Sequence, residues 1–164
     1  MSIRTAIITL SDKGSKGERE DESGRIIREM VASFGASVVH YAVLPDEVGQ
    51  ISETLKKLSD SGNVDLILTT GGTGVAPRDV TPEATRAVID RELPGMAEAM
   101  RAESLKKTPN AMISRAVAGI RGQTLIVNLP GSPKAVRENL AVILPALSHA
   151  IEKIKGDPSD CARS

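Results

Sequence analysis

Val64-Asp65-Leu66-Ile67-Leu68-Thr69-Thr70-Gly71-Gly72-Thr73-Gly74 is an apolar strand that empties into a loop of glycines and hydroxyls. The chain continues as Val75-Ala76-Pro77-Arg78-Asp79-Val80-Thr81-Pro82, in which Thr81 reads as an N-cap with proline at the first helical position. Glycines at 71, 72 and 74 permit positive φ and a close backbone approach to a ligand, and successive amide N–H groups in such a turn form an anion nest. Asp79 would repel a phosphate held there unless a divalent cation such as Mg²⁺ stood between them. The loop carries neither the Gly-Lys-Ser/Thr of a P-loop nor the Gly-x-Gly-x-x-Gly that opens a Rossmann helix, so those two readings do not apply. A tight strand-to-helix connection accounts for the glycines alone equally well.

Outward from this stretch, the pattern alternates strand and helix. Residues 3–10 form an apolar run ending at Ser11-Asp12-Lys13-Gly14, and from Asp21 a helical face of Ile26, Ile27, Met30, Val31 and Phe34 runs to Gly35, where a left-handed C-cap belongs. Residues 37–44 read as a second strand broken at Pro45-Asp46. Val48, Ile51, Leu55 and Leu58 then recur at helical spacing and return the chain to the strand at 64–68. This is β-α-β-α-β, the signature of a right-handed parallel sheet. Beyond the glycine loop, helices are expected over 82–91 and 94–105, a weak strand or loop over 112–120 and a buried strand over 124–129. Pro130-Gly131-Ser132-Pro133 leads into a long final helix. The fold class is α/β, three-layered, with a mostly parallel central sheet and helices on both faces. One domain is expected over residues 1–156, with a polar tail over 157–164.

Composition narrows the chemistry. At 164 residues the chain buries roughly 70% of its unfolded surface and needs no disulfide or structural metal. The single cysteine, Cys161, reads as an inert terminal thiol. Lys plus Arg and Asp plus Glu balance at 21 each, with one Tyr, one Phe and no Trp, which argues against nucleic-acid binding because a single-strand binder wants aromatic platforms and a basic groove. No signal peptide or membrane span is recognisable, so the expectation is a cytoplasmic protein. Any ring that binds must rest on aliphatic, methionine, proline or backbone surface.

In an open parallel sheet, ligands gather outside the carboxyl ends of the strands. Those ends carry Ser11-Asp12, Pro45-Asp46, Thr69 to Gly74 and Asn128 to Ser132. Each has a local alternative: Asp12 an Asx turn, Asp46 the N-cap of the second helix, Ser132 the N-cap of the last one. The convergence of four distant segments on one edge is what points to a site.

The motifs Ser11-Asp12 with Asp21-Glu22-Ser23-Gly24, Leu44-Pro45-Asp46-Glu47, Thr69 to Gly74 with Arg78-Asp79-Val80-Thr81-Pro82, Ser114-Arg115, and Asn128 to Lys134 occur in this order along nearly the whole chain. In that combination the sequence resembles the molybdopterin adenylyltransferases of the MogA/MoaB type. The resemblance implies that ATP and the pterin dithiolene phosphate molybdopterin are converted, with Mg²⁺, to adenylyl-molybdopterin and pyrophosphate. It places Asp46 and Asp79 as the catalytic aspartates, read here as metal-holding. Ser11, Asp12, Thr70, Gly71, Gly72, Thr73, Gly74, Arg78, Ser114, Arg115, Pro130, Gly131, Ser132 and Lys134 are candidate substrate-binding residues. It further implies a homotrimer and leaves a molybdenum insertase as a candidate partner. Nucleotidyl transfer fits the residues independently, since an already ionised phosphate attacks the α-phosphorus and no side-chain nucleophile is required. Lys13, Arg78 and Arg115 supply local positive charge or lie solvated on the surface. Met96 and Met100 share a helical face that suits either core or an assembly surface. Segment 14–22 is either a flap over the ligand or a solvated loop. Two rivals stand: a nucleotide-cofactor hydrolase of the same fold, which would cleave without an acceptor, and a non-catalytic pterin-binding protein, which would gain nothing from two acids beside an anion site.

Overall fold

The computed structural model describes residues 2–160, so Cys161 and the expectation attached to it lie outside the described residues. The elements follow in the order β1 (Arg4–Leu10), α1 (Asp12–Ser15), α2 (Glu22–Ser33), β2 (Ser37–Leu44), α3 (Val48–Asp60), β3 (Leu66–Thr70), α4 (Thr81–Arg86), β4 (Arg91–Glu92), α5 (Pro94–Leu105), a 3-10 turn (Pro109–Ile113), β5 (Ala118–Arg121), β6 (Thr124–Leu129) and α6 (Pro133–Ile154). They build one six-stranded sheet in the order β2-β1-β3-β6-β5-β4. The first four of these run parallel; β5 then pairs antiparallel with β6, and β4 antiparallel with β5, at one edge.

Strand periodicity decides the layers. Ile7, Leu66, Leu68, Leu125, Val127 and Leu129 face a core closed by α2, α5 and α6. Ala6, Ile8, Leu10, Ile67 and Ile126, the alternate residues of the same strands, face a second core closed by α3 and α4. Both faces are therefore covered, and the result is the three-layer α/β architecture the sequence implies. Met96 and Met100 belong to the first core, which settles their face as packing. None of the described helices is long and apolar enough to cross a membrane.

Local chemistry corrects several expectations. Strand β3 begins at Leu66 rather than Val64 and runs on to Thr70, because the threonines continue the ladder against β1 and β6. Helix α4 stops at Arg86 instead of 91, since the chain must turn back to pair Arg91–Glu92 with β5. The segment 112–120 divides into the end of the 3-10 turn and the start of β5. Thr81 is not an N-cap: Val80 holds that position without a side-chain cap, and the Thr81 hydroxyl instead donates to the Gly71 carbonyl at 2.9 Å. Nor does Asp46 cap α3, whose N-cap is Glu47, again without a side-chain bond. Asp12 sits inside α1, where Ser11 is the cap and accepts from the Gly14 N–H. Ser132 does cap α6, accepting from the Ala135 N–H at 3.3 Å, and Gly35 adopts φ 89° after α2.

Candidate active site

Strand β1 lies between β2 and β3, so the chain winds one way from β1 and then the other, leaving a crevice at the carboxyl ends of β1 and β3. The glycine loop fills that crevice. Gly71 has φ 94° and a Cβ there would stand 2.4 Å from the Leu10 carbonyl oxygen, so any other residue would be both strained and overlapped. Gly72, at φ 69°, leaves no room for a Cβ beside the Thr81 hydroxyl, and the Asp46 carboxylate stands 3.2 Å from the same point. Gly74 differs from expectation, since its φ is not positive; its bareness makes room for the Asp79 carboxylate, which would lie 2.9 Å from a Cβ. The loop thus has one aspartate against each flank.

Asp46 and Asp79 both line a cavity of about 580 Å³ together with Ser11, Thr70, Gly71, Gly72, Gly131 and Ser132. Asp46 and Asp12 exchange bonds: the Asp12 N–H donates to Asp46 Oδ2 and the Asp46 N–H to Asp12 Oδ1, each at 3.0 Å. The Arg78 guanidinium clasps both Asp12 oxygens at 3.0 and 2.9 Å and also reaches Glu47. It holds the Asp12 carboxyl below its ordinary range, with the Asp46 N–H assisting. Burial pushes the Asp46 carboxyl up, the Asp12 N–H draws it down, and the negative charges of Asp12 and Asp79 push it up again, for a net upward displacement. Asp79 Oδ2 accepts from the Ala76 N–H at 2.9 Å, which fixes the carboxylate at the mouth of its own loop.

A second cavity, of about 460 Å³, opens on the other side of the loop. Its apolar wall comes from Ala97, Met100, Ala111, Ile113, Ala116 and Pro130, and its polar edge includes Thr73, Gly74 and Ser114. Gly72, Asp79, Gly131 and Ser132 line both cavities. The strand ends are locked where the two meet: the Thr70 hydroxyl donates to the Pro130 carbonyl and the Ser23 hydroxyl to the Gly131 carbonyl, both at 2.7 Å.

Four candidate cations line neither cavity, Lys13 among them as an exposed residue of α1. Lys134 is 86% exposed, pairs with Glu138 at 4.0 Å and lines neither cavity. Arg78 is engaged with Asp12 and Glu47, and Arg115 with the Gly74 and Asp79 carbonyls and with Glu83. Arg19, Glu20 and Glu22, from the segment read as a flap or a solvated loop, and Ser23, from the Asp21–Gly24 motif, line the 580 Å³ cavity, while Asn110 and Asn139 line the other without having been candidates. The charged run around Asp21 was the available signal for the first group. For Asn110 and Asn139 nothing local distinguishes them from ordinary helix-end and helix-face residues.

A family model described as a probable molybdopterin binding domain matches residues 6–149. The chain belongs to this family. It is 44% identical over 158 residues to a molybdopterin adenylyltransferase of Helicobacter pylori, covering 95% of this chain and 90% of that one. Among solved structures, the molybdopterin biosynthesis enzyme MoaB of Thermus thermophilus superposes with a TM-score of 0.89 at 52% identity, covering 96% of this chain and 99% of the other. A gephyrin of Dictyostelium discoideum is 45% identical over 162 residues, which is 93% of this chain but 22% of that longer protein.

Proposed function

We infer that the protein is a molybdopterin adenylyltransferase, a nucleotidyltransferase of molybdenum-cofactor biosynthesis that moves AMP from ATP to the terminal phosphate of molybdopterin. The observation that carries this reading is the pair of cavities sharing Gly72, Asp79, Gly131 and Ser132. Two substrates that exchange a group need separate seats and one common wall, and the common wall here sets glycine backbone and the Ser132 hydroxyl, suited to phosphates, beside the Asp79 carboxylate. A phosphate oxygen of molybdopterin attacks the α-phosphorus of ATP, the bond from that phosphorus to the bridging oxygen breaks, and pyrophosphate leaves with the electron pair. The acceptor is already ionised, so the chain's residues bind, orient and neutralise rather than form a covalent intermediate. The apolar wall of Met100, Ile113, Ala116 and Pro130 offers a ring the non-aromatic surface that the composition dictates.

Mg²⁺ fits the residues present. Asp46 and Asp79 crowd negative charge at one rim, and burial sets the Asp46 anion at a disadvantage that a cation would relieve. Among the described residues no group of three or more His, Cys, Asp or Glu side chains is gathered for a metal. Two carboxylates completed by substrate phosphates is the usual manner of binding Mg²⁺. When bound there, the ion would neutralise phosphate charge as pyrophosphate departs. A cytoplasmic homotrimer completes the proposal. A molybdenum insertase as partner draws support from gephyrin, where a segment similar to this chain forms part of a longer protein.

The test is incubation with ATP and Mg²⁺, with and without molybdopterin. Adenylyl-molybdopterin and pyrophosphate should appear in equal amounts and only with the acceptor. Nucleotide cleavage without acceptor would replace this reading with the hydrolase.

A further inference from the structure

Arg115 carries a positive charge near the glycine loop, and each of its three guanidinium nitrogens donates to the protein itself. Its Nε donates to the Gly74 carbonyl at 2.6 Å, one terminal nitrogen donates to the Asp79 carbonyl at 2.7 Å, and the other meets Glu83. Its backbone N–H donates to the Thr73 carbonyl at 2.8 Å. One residue therefore grips the loop before its turn, at its start and at its end. Arg115 lines neither of the two cavities that share Asp79. On the far flank, Arg78 ties the same loop to Asp12 and Glu47, so the segment is held from both sides.

We propose that Arg115 is a positioning residue whose guanidinium sets the Asp79 carboxylate opposite Asp46, and that it makes no contact with substrate. Releasing the loop at its Gly74 and Asp79 carbonyls would let Asp79 drift from the shared wall, because the Ala76–Asp79 bonds travel with the loop and the remaining tie, Arg78 to Asp12 and Glu47, runs through a side chain exposed on the other flank. A planar fork holds two carbonyls at a fixed separation, whereas the three donors of an ammonium rotate about a single atom and fix no such separation. This inference rests on the adenylyltransferase reading, and the experiment separates the two.

Arg115→Lys keeps the charge and removes the fork. It should lower kcat about 10²-fold, the cost of a group displaced by about 1 Å, while the KM for molybdopterin stays within about twofold. Calorimetry with the α,β-methylene analogue of ATP should show weaker binding in Mg²⁺ and unchanged binding in EDTA. In an Asp79→Asn background, Arg115→Lys should add nothing to either loss, since a residue acting through another is silent once that one is gone. The Ala76 amide, bonded to Asp79 Oδ2, should exchange faster in the variant. Glu83→Gln, which leaves the fork but frees one end of the guanidinium, should give a smaller loss in the same direction and serves should Arg115→Lys fail to fold. Weaker analogue binding in EDTA, a raised KM with kcat retained, or penalties that multiply across the two substitutions would overturn the proposal in favour of direct substrate contact. Should the wild type yield no adenylyl product, the functional reading falls, and the Ala76 amide still decides whether the brace exists.

Discussion

Asp46 and Asp79 reach the glycine loop from opposite flanks, and their settings differ in a way that mutation can read. A carboxyl whose folded pKa is raised has a native state that disfavours its anion, so it contributes stability below the unfolded pKa and loses it as pH rises. At neutral pH, Asp46→Asn should therefore melt at or above the wild-type temperature, with the amide oxygen still accepting the Asp12 N–H. Adenylylation should fall about 10²- to 10³-fold, the range for loss of one electrostatic contact to a developing charge. Asp79→Ala should show the same loss of rate, with molybdopterin still bound. A variant of either kind that turns over at the wild-type rate would remove both residues from the metal reading. The two aspartates stood out in the sequence because each follows a strand exit and a turn signal. The engagements of Arg78 and Arg115 did not, for their partners lie 66, 41 and 36 positions away. Lys134 was drawn in by its motif, but its direction depends on the phase of α6, which turns it to solvent.

At the scale of elements, long apolar runs gave up their identity readily: β1, β3, β6, α2, α3 and α6 all fall where periodicity put them, within a few residues at their ends. Short or mixed segments did not. Strand β4 is two charged residues, Arg91 and Glu92, whose extension is imposed by β5 and has no local signal. The same limit hid Asp65, which precedes β3 in what reads as an apolar strand. It is almost wholly buried and receives the Arg4 backbone N–H at 2.9 Å, the Arg4 guanidinium at 3.1 and 2.8 Å, and Lys155 from the end of α6 at 2.6 Å. Burial would push this carboxyl up, but the bonds from Arg4 and Lys155 outweigh it and hold it far below the usual range. A depressed carboxyl contributes stability above the unfolded value, lost as pH falls through the folded one. Asp65→Asn should accordingly cost about 2–4 kcal/mol at pH 7, between a lost charge-assisted hydrogen bond and a broken buried pair. The gap between variant and wild type in urea unfolding should narrow steadily below about pH 4, the ordinary aspartate value. A gap independent of pH would mean that the ion pairs are not what joins β1, β3 and α6.

Across the whole molecule, three large apolar side chains among the described residues are more than half exposed. Met112 is 71% exposed, Val75 63% and Ile113 52%. Ile113 lines the 460 Å³ cavity, and Met112 and Val75 are chain neighbours of two of its lining residues, Ile113 and Gly74. Exposed apolar residues scattered singly need no explanation, but a cluster beside a site is a candidate contact surface. Met96 and Met100 cannot supply it, being packed in the core. If the chain assembles as the proposed trimer, three copies about a closed three-fold axis bury such a surface without leaving an open end. Light scattering should then give about three times the 17.3 kDa chain mass. Met112→Glu, which places a charge on that surface and touches neither aspartate, should shift that mass toward a single chain while circular dichroism stays unchanged. A wild-type mass of one chain would discard the trimer. A trimer indifferent to Met112→Glu would keep the assembly and move its interface away from the cavity mouth.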